Sequence, residues 1–145
     1  VTENGRIVGA ANVGQSFTKA TYFWGRPSAV EYNGSGSGGS NKATTNPEYL
    51  DEVKARIDTF LTFHPYLLRQ DVPSEMVTAS GSGLDPDISP AGAYVQARRV
   101  AEARGLSPEA VEKLVRGHVE GPEWSVWGEP KVNVLRLNLA LDELR

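Results

Sequence analysis

The chain has 145 residues, 39% hydrophobic and 23% charged, which suits one folded domain and is too apolar for a disordered tail. A formal charge of −3 argues against a nucleic-acid partner, and the lack of cysteine excludes disulfides, thiolate metal sites and a cysteine nucleophile. No run approaches the roughly 18 apolar residues of a membrane span and no signal-peptide stretch opens the chain, so as it stands it is expected to be soluble.

Near the start, Arg6 to Ala10 and Gln15 to Phe23 read as two strands able to pair. The second runs into Tyr22-Phe23-Trp24, followed by the turn signal Gly25-Arg26-Pro27. Large rings beside a loop, joined by Trp124 and Trp127 later, fit either core packing or an exposed protein or membrane interface. Gly34 to Ser40 has the composition of a flexible linker but is read as an ordered loop. Gly34, Gly36 and Gly39 match dinucleotide-loop spacing, yet no strong strand leads in and no helix opens before Asn46. Lys42 follows Asn41 and precedes Ala43, so no P-loop ending is present. What survives is a loop whose N–H groups and hydroxyls can face a phosphate tail.

Three helices share one starting device. Asn46-Pro47, Ser89-Pro90 and Ser107-Pro108 each set a capping oxygen before a proline, whose missing N–H would have had no partner in the first turn. The first helix is predicted from Pro47 to about His64, with Leu50, Val53, Ile57, Phe60, Leu61 and His64 as its apolar stripe. The second runs from Pro90 to Arg104 with Ala93, Ala97, Val100 and Ala101 facing inward, stopped by Gly105. The third carries Val111, Leu114, Val115 and Val119 and ends before Gly121-Pro122.

Between the first and second helices, Glu75 to Ala79 is a short strand candidate. Thr78 to Asp87 contains Ser80 and Ser82, but a hydrolase elbow needs glycine two residues before the nucleophile, and Ser80 stands there instead. His64 and His118 lie on or beside apolar stripes, where a lone imidazole is more often structural than a base. Asp85 and Asp87 are read as turn formers ahead of the Ser89 cap rather than as a cation site. At the C-terminus, Leu135, Leu137, Leu139 and Leu141 alternate with Arg136, Asn138, Ala140 and Asp142, the period of a half-buried strand. The opposite parity of Val132 and Val134 suggests a bulge near Val134 and Leu135. The sum is α+β: one domain over residues 1–145, with a small mixed or antiparallel sheet packed by about three helices. No catalytic and no metal-binding constellation is expected.

Six strings then occur in order: Val13-Gly14-Gln15-x-Phe17, Tyr22 to Ala29, Ser37 to Asn41, Val77 to Pro90, Arg99-Val100-Ala101-x-Ala103-Arg104-Gly105, and Val132 to Asp142. Together they resemble KdpC, the C subunit of the Kdp-type potassium-transporting P-type ATPase, over nearly the whole chain. The resemblance implies a non-catalytic subunit that holds together an ion-binding A subunit and an ATP-hydrolysing B subunit, with a small F subunit also present. It further implies a possible rise in the B subunit's ATP affinity; no cofactor is expected to bind tightly, and ATP only in complex with that subunit. The loop Ser37, Gly38, Gly39, Ser40 and Asn41 is likened to the signature loop of ABC transporters, although Asn41 stands where that signature has glutamine. A stand-alone nucleotide-binding module acting through residues 34–41 is the alternative reading. Tyr22, Phe23, Trp24, Arg26, Trp124 and Trp127 are the candidate docking residues. Family members usually begin with a membrane-spanning helix missing from these 145 residues. The full-length protein is therefore expected to be anchored once in the bacterial inner membrane, with its folded part outside the cytoplasm.

Overall fold

The computed structural model describes residues 1–10, 12–28, 46–121 and 128–144. Its first element is a hairpin of β1 (Thr2–Glu3) and β2 (Arg6–Ile7), paired Thr2 to Ile7 and Glu3 to Arg6. Asn4 at φ 49° and Gly5 at φ 79° form the turn, both left-handed, the conformation that an Asn-Gly hairpin turn requires. The expected partner strand at Gln15 to Phe23 does not form. Gly14 to Ser28 instead runs over the helices without joining either sheet.

The three helices start where their local signals place them, but the third stops at Gly117, and Val119, expected on its apolar stripe, lies in a short strand. α1 spans Pro47–Phe63, α2 Pro90–Arg104 and α3 Pro108–Gly117. Asn46 accepts from the Glu48 N–H at 2.9 Å, Ser89 from Gly92 at 3.0 Å and Ser107 from Ala110 at 3.2 Å, so each cap works as its sequence predicts. Gly105 closes α2 in the left-handed region at φ 68°, and Leu106 N–H returns to Ala101 O at 2.9 Å. Glu75 to Ala79 does not form a strand: the chain takes a 3-10 turn at Ser74–Met76 instead.

The C-terminal prediction fails in an instructive way. The chain is a strand only over β5 (Lys131–Asn133) and becomes helix α4 at Val134–Glu143. Asn133 caps α4 by accepting from Arg136 N–H at 3.0 Å. The break in parity at Val134 therefore marks a strand-to-helix boundary, not a bulge. Val134, Leu137, Asn138 and Leu141 form the buried stripe at helical spacing, and Asn138 is buried although polar.

β5 is the centre of a three-stranded antiparallel sheet, with β3 (Asp87–Ile88) on one side and β4 (Val119–Glu120) on the other. Val132 faces both Ile88 and Val119 across it. α2 packs on α3 and α3 on α4. The contact face of α2 is small: Ala93, Ala97 and Ala101 are fully buried, which lets neighbouring backbones approach. Ile88, Val100, Val111, Val115, Val132, Leu137 and Leu141 fill the space between sheet and helices. The result is an α+β fold with four helices and two small antiparallel sheets among the described residues.

Candidate interaction site

Lys19 to Tyr22 form a turn closed by Tyr22 N–H on Lys19 O at 3.1 Å, and side chains, not a neighbouring strand, satisfy the other backbone groups from Ala20 to Trp24. Phe23 N–H donates to Asn138 Oδ1 at 2.9 Å, and Asn138 Nδ2 returns a bond to Phe23 O at 3.0 Å. Trp24 N–H donates to Gln96 Oε1 at 2.7 Å while Gln96 Nε2 donates to Trp24 O at 3.1 Å. Two carboxamides, one on α4 and one on α2, each pair both polar groups of one peptide residue. Arg99 Nε donates to Ala20 O at 3.1 Å and its Nη2 to Tyr22 O; Arg104 Nε donates to Thr21 O at 2.6 Å.

Arg99 is 5% exposed and, among the described residues, has no carboxylate partner. Besides those carbonyls it bonds Gln96 Oε1 at 3.2 Å, and its guanidinium lies 3.9 Å over the Trp24 ring. Its Nη1 meets His64 Nε2 at 2.7 Å. Arginine only donates, so Nε2 accepts and the ring proton sits on Nδ1, which donates to Phe60 O at 2.6 Å. Burial holds His64 well below its ordinary range, to about 4, with the neighbouring Arg99 charge adding to the effect against the Phe60 bond. Burial likewise brings Arg99 down to about 10.

Trp24 is the hub of this cluster. Phe60, Phe63 and His64 meet it edge-on at 6.2, 5.1 and 5.5 Å. Tyr22 donates to Asp142 Oδ2 at 3.0 Å, and Arg104 bonds the other carboxylate oxygen at 2.9 Å, tying the segment to the ends of α2 and α4. Arg26 pairs with Asp85 at 3.4 Å and donates to Ala79 O. With Ser80 N–H on Pro27 O and Ser28 Oγ on Gly83 O, it brings parts of two of the sequence strings, those beginning at Tyr22 and at Val77, side by side.

The candidate docking residues therefore divide. Phe23 is fully buried and belongs to the core, a correction to its place among surface candidates. Tyr22, Trp24 and Arg26 are half-buried. Trp24 and Arg26 line an open groove of about 860 Å3 between α1 and the segment Ser16 to Ser28. Trp124, Trp127 and the loop Ser37, Gly38, Gly39, Ser40 and Asn41 lie outside the described residues.

The chemical alternatives find no geometry among the described residues. Both His64 nitrogens are engaged, His118 Nδ1 bonds Leu114 O at 2.8 Å, and no serine hydroxyl bonds either imidazole. Asp85 Oδ1 accepts from Asp87 N–H at 3.0 Å, the turn its spacing predicts, and Asp87 pairs with Lys131 at 3.3 Å. No group of three or more metal-ligating side chains occurs among the described residues, and no helix there is long and apolar enough to cross a membrane. Sequence reasoning missed Gln96, Asn138 and Arg99 as the residues that hold this site. Arg99 lay within a matched string, but nothing local marks it as buried.

Comparison with known proteins matches the chain as a whole. A family profile described as KdpC, the c chain of the K+-transporting ATPase, matches residues 1–143. A potassium-transporting ATPase KdpC subunit from Bacteroides fragilis is 63% identical over 147 aligned residues, covering 100% of this chain and 77% of that protein. The corresponding subunit of Flavobacterium psychrophilum is 57% identical, covering 100% and 78%. That of Caldanaerobacter subterraneus is 49% identical, covering 97% and 72%.

Proposed function

This chain belongs to the KdpC family, and from that premise we propose that it is a non-catalytic subunit that steadies the assembly of a potassium-transporting ATPase. Its partners are the ion-binding and ATP-hydrolysing subunits, with the small F subunit beside them. The observation that carries the non-catalytic part is how the polar side chains are used. Gln96, Arg99, Asn138 and Arg104 bond the backbone of Ala20 to Trp24, and His64 braces Arg99 from behind while bonding Phe60 O. Such groups rigidify a surface and have no free valence left for a reacting atom.

In this reading the full-length protein is anchored in the bacterial inner membrane, with its folded part on the extracytoplasmic face against the ion-binding subunit. There it is out of reach of cytosolic nucleotide. Support for the ATP-hydrolysing subunit's affinity then passes through the assembled complex and not through direct contact with ATP. Two measurements test this. The full-length chain, expressed with the other subunits, co-purifies with them, and a complex that forms equally well without it overturns the assembly role. Calorimetry of the isolated chain with millimolar ATP gives no heat; binding at that level, about −4 kcal/mol, would support the nucleotide-binding alternative at residues 34–41.

A further inference from the structure

The geometry points to the groove between α1 and Ser16 to Ser28 as the slot that receives an apolar segment bearing a carboxylate from another subunit of the complex, an inference that rests on the assembly role above. The groove measures about 860 Å3 and is open to solvent. Phe17, Trp24 and Phe63 form its walls, Met76 lies at its base, and Ala55 and Thr59 are small enough on α1 to leave it room. Phe63 is 44% exposed although it packs edge-on against Trp24. Aromatic walls with a few fixed polar groups are the makings of an anchor pocket, where a handful of side chains carry most of the binding energy.

Charge selects the occupant. The chain as a whole is at −3, yet the described lining holds two arginines, Arg26 and Arg56, and no carboxylate. Arg26 is engaged with Asp85 and Ala79 O. Arg56 is half-buried, and its Nη1 donates to Val77 O at 3.2 Å. Among the described residues no carboxylate pairs with it. A guanidinium held beside aromatic walls, with donors left over, matches a planar carboxylate in a two-bonded fork. The same charge repels potassium and basic segments, so the groove discriminates by sign as well as by shape.

The experiment uses the complex assembled from the full-length chain. A photo-crosslinking amino acid replaces Ala55 inside the groove, and in a second protein it replaces Glu112, an exposed residue of α3 outside it. The Ala55 position is expected to give an adduct with a subunit peptide containing Asp or Glu, and the Glu112 position none. Arg56→Glu should cut the Ala55 adduct at least tenfold, while Arg56→Lys retains most of it. Ala55→Trp, which obstructs the groove, should lower co-purification with an unchanged melting temperature. An Ala55 adduct with lipid only, or no adduct in a complex that co-purifies normally, overturns the docking slot and leaves the assembly role standing. Failure of the unmodified chain to co-purify sinks the assembly role itself.

Discussion

Arg99 and His64 show how this fold handles a buried positive charge. With no carboxylate on the guanidinium among the described residues, compensation comes from carbonyl dipoles, the Trp24 face and a neutral imidazole. A second cation there would be costly, and this gives His64 a definite pH signature. Above its ordinary value near 6.5 both folded and unfolded chains hold a neutral ring, so His64 has no effect on the slope. As pH falls, the unfolded chain takes up a proton that the native ring refuses until about 4. Stability is therefore lost across that window, by up to about 3 kcal/mol. Urea unfolding of the parent chain and of His64→Gln at pH 7 and pH 4 measures it. The parent's extra loss should vanish in the variant; equal losses in both would show that the native ring is protonated normally. Asn138 makes a second residue-scale case. Asn138→Leu keeps the branched shape but strands the buried N–H and C=O of Phe23, so destabilisation of about 2–4 kcal/mol is expected from the same unfolding curves. A neutral result would mean that solvent reaches Phe23.

At the scale of elements, α2 shows two local preferences in conflict. Alanine is favoured over glycine inside a helix by about 1 kcal/mol. Yet a Cβ on Gly92 would sit 2.6 Å from Glu75 Oε1 and 3.2 Å from the Met76 sulfur. Glu75 cannot simply swing away, because its carboxylate accepts from Ser89 N–H at 3.0 Å and from the Ser89 hydroxyl, bracing the residue that caps the helix. Losing a charge-assisted clamp of this kind outweighs the propensity gain. Gly92→Ala should therefore destabilise by about 1–2 kcal/mol, and at least half of that penalty should disappear in a Glu75→Ala background. Thermal unfolding of the four proteins closes the cycle, and an unchanged penalty would move the cause to Met76. The beginnings of α1, α2 and α3 were legible because a cap and a proline act within a few residues. α4 was not, since its leucines satisfy a period of two as well as one of 3.6. Asn138 tips the choice: counted as an outward polar residue it supports a strand, and only its bonds to Phe23 reveal that it faces inward.

Across the whole molecule, the parts read correctly are those with local causes, and the parts missed join distant stretches of chain. The bonds that seat Phe23 and Trp24 span 115 and 72 residues, and no pattern of adjacent letters encodes them. The family resemblance found the strings that converge at the site but not the carboxamides that bring them together. This construction leaves stability unevenly distributed. α2 buries seven of its 15 residues and is bound to Ala20–Trp24 by side chains, whereas α1 buries only Phe60 of its 17. Leu50, near the start of α1, is 52% exposed; Val53 and Ile57 are only partly buried against the core, and the fully buried contacts of the helix are Phe60 and the capping residue His64. Local opening draws on segments with few buried apolar contacts. Native-state hydrogen exchange should therefore find the amides of α2 opening only with global unfolding, and those from Tyr49 to Ala55 opening at least a hundredfold more often. Phe60→Ala, which removes the anchor at a cost of about 3–5 kcal/mol, should speed exchange along α1, while Leu50→Ala leaves it nearly unchanged. Because α1 forms one wall of the groove, a hinge at its Phe60 end would let the slot widen around an incoming segment without disturbing the α2 core. Uniform protection of α1 and α2 would instead describe a rigid wall and remove that adjustment.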